Sequence, residues 1–250
     1  MADATFRQLS EVDTTGSTLI EGLPGHGLVA AIAVDQITTQ LGLEHYGTIN
    51  ADAFPPVTTF QDGLVHDLVR VYAGADPSVL TLRSDLALPQ SAIEPLSGCV
   101  VSELAERFNE AIFIAGAPAQ SEDDLGNVQG IGTLPSVREE LKAAGITVPE
   151  EHGLVGGITG GLVRECYREE IPAALLIVQS YPHIPDPRAA KAVIDKALSP
   201  LVEFEIDTTE LAEQADEIQS RLQQIAAQHQ RMQQEQQEQQ SQSAIPGMFQ

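Results

Sequence analysis

Short apolar runs alternate with segments of helical periodicity along most of this chain, and this alternation restricts the fold more than any other feature. Strands that are apolar along their length need cover on both faces, which crossover helices supply, so the pattern points to an α/β architecture. TLIEGLPG reads as a strand running into a Gly/Pro turn, and HGLVAAIAVDQITTQLG as the helix it feeds. HYGTIN, VLTLR, AIFIAGAP and AALLIVQS read as further strands, and EPLSGCVVSELAERFNE, LPSVREELKAAG and DPRAAKAVIDKALSPL as helices. FPPVTTFQDGLVHDLVRVYAG differs: β-branched residues, paired prolines and a central QDG predict a hairpin beside the main sheet. Residues 1–206 are therefore expected to form one α/β domain.

Composition changes at Thr208, after which Glu, Gln and Ala dominate. Leu211, Ala215, Ile218, Leu222, Ile225, His229 and Met232 recur at alternating spacings of four and three, the a/d seam of a coiled coil. Residues 207–240 are expected to form a helix that fades into a Gln-rich leash, and 241–250 a tail. So narrow a stripe suits self-association; the alternative is an amphipathic helix docked on its own domain. The chain then ends on Ile245, Pro246, Gly247, Met248, Phe249 and Gln250, an apolar foot on a solvated leash.

Charge excludes one class of partner. With 36 acidic against 13 basic residues and a formal net charge of −23, a nucleic-acid backbone would be repelled. Lys142, Lys191 and Lys196 are the only lysines. Molar salt shortens the screening length to about 3 Å, so such a surface suits a salt-loaded, haloarchaeal-type cytoplasm. Cys99 and Cys166 form no metal spacing and read as buried thiols. The N-terminal MADATFRQLSEVD carries no signal-like pattern, and no run approaches the roughly 20 apolar residues of a membrane span. These features predict a soluble, cytoplasmic protein with neither a membrane association nor a dedicated metal or cofactor.

Two glycine loops are the candidate ligand site. GLPGHGLVAA puts Gly22, Gly25 and Gly27 around His26 between a strand and a helix. GLVGGITGG puts Gly156, Gly157, Gly160 and Gly161 ahead of the helix LVRECYREE. Backbone N–H groups there could cradle an anion, but neither loop meets a nucleotide fingerprint, and tight helix–strand packing is the competing use. His26 has no paired carboxylate at a recognisable spacing, and His183 lies in the rigid SYPHIPDP. No catalytic constellation is identifiable.

LIEGLPGHGLVAAIAVDQI, then GLVGGITGGLVRECYREEIPAALLIVQSYPHIPDPRAAKAVIDKAL, then a Glu/Gln-rich C-terminal helix, resemble the proteasome assembly chaperone family in its archaeal form. The resemblance implies a mixed-sheet fold like that of nucleoside phosphorylases, homo-oligomers, and a noncatalytic role with proteasome α subunits or the finished core particle. It also gives the tail a meaning. Proteasome-binding proteins of this kind end in a hydrophobic residue, a tyrosine and a final carboxylate, and Met248, Phe249 and Gln250 fill these places. Phe249 keeps the ring but lacks the hydroxyl, a loss of roughly 0.5–1.5 kcal/mol for one hydrogen bond. Presenting several tails from one oligomer would add avidity of about 10²–10⁴. An untrimmed end without function is the alternative. Rival readings of the whole chain are a small-molecule-binding protein or enzyme using the glycine loops, and an oligomeric scaffold for another partner.

Overall fold

The computed structural model describes residues 4–181, 184–218 and 220. The chain divides after Thr208 into two units, Met1–Thr208 and Thr209–Gln250.

The first unit is built in the order β1 (Ala4–Gln8), β2 (Ser17–Gly22), α1 (Val29–Gln40), β3 (Glu44–Ala51), β4 (Thr59–Gln61), β5 (Leu64–His66), β6 (Val69–Ala75), β7 (Ser78–Ser84), α2 (Ile93–Cys99), β8 (Phe108–Pro118), β9 (Val128–Gly132), α3 (Pro135–Ala143), α4 (Gly157–Arg168), β10 (Ala173–Ser180) and α5 (Pro187–Val193). Eight strands form one sheet in the order β1-β3-β6-β7-β2-β8-β10-β9. The central four, β7, β2, β8 and β10, run parallel. The meander β1-β3-β6 continues from β7 with antiparallel pairing, and β9 closes the other edge antiparallel to β10. The result is a mixed-sheet α/β fold.

Helices cover both faces of the parallel centre, as its apolar strands require. On one side α1 packs against β2, β7 and β8 and against α5, which lies on β10. On the other, α2 and α4 pack together, with α4 on β8 and β10. Alternation sorts the strand side chains accordingly: Leu19, Phe113 and Leu175 join Leu96, Cys99 and Leu162 in the main apolar cluster. The helix starts are chemically marked. Pro135 and Pro187 sit at first-turn positions that need no N–H, and Asp186 caps α5 by accepting from Ala189 N at 3.0 Å.

The expected strands and helices are present, with boundaries the sequence misplaced. The helix expected over 94–110 ends early. Regular α-helix stops at Cys99, a π turn over Val100–Leu104 follows, and β8 begins at Phe108 because Phe108 and Glu110 pair with Ser17 and Thr18. Likewise Ile194–Leu198 is a π turn after α5. The hairpin expected over 54–74 is narrower than read. Asp62 and Gly63, both with positive φ, turn β4 into β5 as a separate two-stranded sheet. Val69–Ala75 instead enters the main sheet as β6, paired on both sides. Strands β1 and β9 were not expected. Both are five-residue edge strands, and β9 carries Gly130 and Gly132 against the side chains of Leu141 and Val137.

In the second unit residues 209–218 are helical. Leu211, Ala215 and Ile218 share one face of this run by their spacing. Leu222, Ile225, His229 and Met232 of the expected seam, the tail residues Met248, Phe249 and Gln250, and His183 of the proline loop lie outside the described residues.

Candidate functional site

Adjacent parallel strands β2 and β8 send their connections in opposite directions. From β2 the chain passes through α1 to β3 on one side of the sheet, and from β8 it leads towards β9 and β10 on the other. Such a switch point opens a crevice at the carboxyl ends of the strands, where open α/β sheets place ligands. A cavity of about 230 Å³ lies there. The two glycine loops, far apart in sequence, meet across it: Leu23, Pro24, Gly25 and His26 come from the first, and Gly156, Gly157, Ile158 and Thr159 from the second. Ala30, Leu88, Ile114, Ala115 and Gly116 complete the wall.

The predicted glycines divide into two groups. Gly25, Gly156 and Gly157 line the cavity, with open space where a Cβ would stand. The others are packing glycines. A Cβ on Gly22 would lie 2.4 Å from the Val34 side chain, which seats α1 on β2. Gly27, at φ +62°, approaches Ser180 Oγ and the Tyr181 carbonyl, and its own carbonyl accepts from Asp186 N at 2.8 Å. Gly160 lies against the Val155 carbonyl and Gly161 against Ile93. Leu28 follows Gly27 in the left-handed region at φ +50°, a strained position for a side chain with a Cβ. His26 is exposed at the cavity lip, and the turn it opens has no side-chain cap.

A residue the sequence reading passed over lies under this cavity. Glu21 is fully buried on β2. Its Oε1 accepts from Leu23 N at 3.0 Å, and Thr159 Oγ1 stands 3.3 Å from both carboxyl oxygens. Burial pushes the carboxyl up to about 8, outweighing the hydrogen bonds from Leu23, Thr159 and Ile114 that favour the ionised form. Glu21 is therefore a neutral acid at pH 7. The signal was available: alternation in TLIEG puts Glu21 on the same inward face as Leu19. Across the cavity, α4 begins at Gly156 without a side-chain cap, so the first-turn N–H groups have no side-chain acceptor at that end.

Nucleophilic and metal chemistry find less support. Cys99 and Cys166 are free and buried. Burial, with Glu103 near one and Glu165 near the other, pushes both thiols up to about 12, so neither supplies a thiolate at neutral pH. Among the described residues no three His, Cys, Asp or Glu side chains gather in a metal-holding group, and no described helix is long and apolar enough to cross a membrane.

The fold is shared with solved structures. PbaA of Pyrococcus furiosus, described as an archaeal homologue of proteasome-assembly chaperone, superposes with a TM-score of 0.81 at 23% identity, covering 97% of this chain and 100% of that one. PbaB of the same organism, described as an archaeal proteasome activator, gives a TM-score of 0.81 at 22% identity, covering 90% and 100%. In sequence, an uncharacterized protein of Methanocaldococcus jannaschii is 28% identical over 229 residues, 91% of this chain and 92% of that protein. The sequence model of the PAC2 family matches residues 19–226, from Leu19 on the central strand through both glycine loops and α5. The chain thus belongs to the PAC2 family, the proteasome assembly chaperone family that its linked segments resemble.

Proposed function

We propose that this protein is a noncatalytic proteasome-binding adaptor, acting in the assembly of α subunits or on the finished core particle. The reading rests on the match of nearly the whole chain to PbaA, together with membership of the PAC2 family. In this reading the mixed sheet is a nucleoside phosphorylase-like body whose strand-end site carries out no chemistry of its own. The buried, protonated thiols of Cys99 and Cys166 support that part.

The C-terminal unit does the docking. The a/d spacing from Leu211 to Met232 bundles copies of the chain into a homo-oligomer through a coiled coil. The Gln-rich leash then presents several copies of Met248, Phe249 and Gln250, whose terminal carboxylates enter pockets between adjacent α subunits. Avidity offsets the entropy of ordering each leash. In this reading the complex works in a salt-rich cytoplasm, which the excess of carboxylates supports.

Removing Met248 to Gln250 tests the mechanism. Co-purification with α-subunit rings at high salt should fall at least ten-fold, while the α/β body keeps its melting temperature. Unchanged co-purification sinks the tail mechanism.

A further inference from the structure

The cavity between the ends of β2 and β8 is a built site that the adaptor role leaves unused. At about 230 Å³ it is far larger than the roughly 10–15 Å³ needed for one water. Its walls are mostly apolar, from Leu23, Leu88, Ile114 and Ile158. Its polar side chains are Thr159, beside the N-terminus of α4, and His26 at the opposite lip. We propose that this cavity binds a small monocarboxylic acid, its carboxylate on the first turn of α4 and its short apolar body against Leu23, Leu88, Ile114 and Ile158.

Several observations select this chemistry. The twelve-residue α4 starts from Gly156, whose backbone (φ −112°, ψ −172°) is the extended conformation of an N-cap but which offers no cap atom. The N–H groups of the first turn are thus available to an incoming anion, and the helix dipole favours one. No lysine or arginine lines the cavity, and its one basic side chain, His26, is exposed at the lip, so no buried cation balances the second charge of a phosphate or a dicarboxylate. A single charge matches the roughly half unit of the helix terminus. The acid beneath the cavity does not repel the ligand because Glu21 holds its proton at neutral pH. The Thr159 hydroxyl donates to the Glu21 carboxyl at 3.3 Å, which ties the first turn of α4 to the acid beneath it.

Calorimetric titration of the intact chain at pH 7 and high salt, with sodium butyrate, butyramide and inorganic phosphate as probes, tests the assignment. Saturable butyrate binding is expected, with butyramide and phosphate each at least ten-fold weaker. Gly156→Asp supplies the missing cap from within the chain, at a position where an added side chain meets open space. It should weaken butyrate at least ten-fold while keeping or raising the melting temperature, a combination that structural damage would not give. If Gly156→Asp does not fold, the neutral cap of Gly156→Ser should give the same loss. No butyrate binding, equal binding of butyramide or phosphate, or full binding by the folded cap variant overturns the proposal. The site is independent of the tail, so the chain lacking Met248 to Gln250 should bind butyrate undiminished whether or not it still reaches the proteasome.

Discussion

The strand-end crevice and the base of the β4–β5 hairpin each bury an ionisable group, and they do so by opposite means. In the crevice, Glu21 has only hydrogen bonds, from Leu23, Thr159 and Ile114, and no cation beside it, so burial keeps it neutral. At the hairpin, the Arg70 side chain is 7% exposed and stays charged, because Asp85 meets it with two hydrogen bonds of 2.7 and 2.8 Å. Arg70 Nη1 also reaches Thr59 Oγ1 at 2.7 Å and the Asp67 carbonyl at 3.1 Å, which ties β4 to the main sheet. Burial works against ionising Asp85, but the guanidinium of Arg70 wins and holds this carboxyl below the usual range. A lone buried acid takes up a proton, whereas a buried guanidinium met by a carboxylate at both terminal nitrogens remains ionic even with its Nε unpartnered.

The two regions should therefore lose stability at opposite ends of the pH scale. For Glu21 the folded value of about 8 lies above the unfolded 4.5, so the fold holds a proton that the unfolded chain has released. Its stability is fully present below about pH 4.5 and declines by roughly 1.4 kcal/mol per pH unit until about pH 8, a total on the order of 5 kcal/mol. Glu21→Gln should flatten this decline in urea unfolding measured from pH 5 to 9; an unchanged slope would remove the contrast. Asp85 has the opposite sign. Its folded value is depressed, so its contribution is present above the unfolded value of 3.8 and is lost as pH falls through the lower folded value.

Breaking the pair sharpens the comparison further. Arg70→Ala leaves Asp85 without its cation and β4 without its tie, and should cost about 3 kcal/mol, at the low end for a buried pair because Asp85 is 39% exposed. Proteolysis should cut first at residues 57–66, and uniform loss of protection across the sheet would count against a local tie. The smallest effect belongs to the hairpin tip. Phe60 is 81% exposed, so Phe60→Ser should change unfolding stability by less than about 0.5 kcal/mol; a larger change in thermal unfolding would mean that the tip is packed in solution.

Much of the fold was legible because alternation and turn chemistry act locally. Apolar runs marked the parallel centre, Asp62–Gly63 marked the hairpin turn, and Asp186–Pro187 marked the start of α5. The misses occurred where pairing overrides local preference. Phe108–Glu110 left its helix to pair with β2, and β9 became a strand despite Gly130 and Gly132 because α3 packs against it. The site was half legible: both glycine loops were marked, yet only Gly25, Gly156 and Gly157 line the cavity, while Gly22 and Gly161 serve packing.

By itself the sequence determined the α/β class, the break in composition at Thr208 and an acidic surface, since periodicity and charge are carried residue by residue. Only the tertiary structure decided that residues 23–26 would face residues 156–159 and that Glu21 would lie beneath them without a cation. Both depend on strand order and burial, which are properties of segments brought together from across the chain and are written in no single stretch of it.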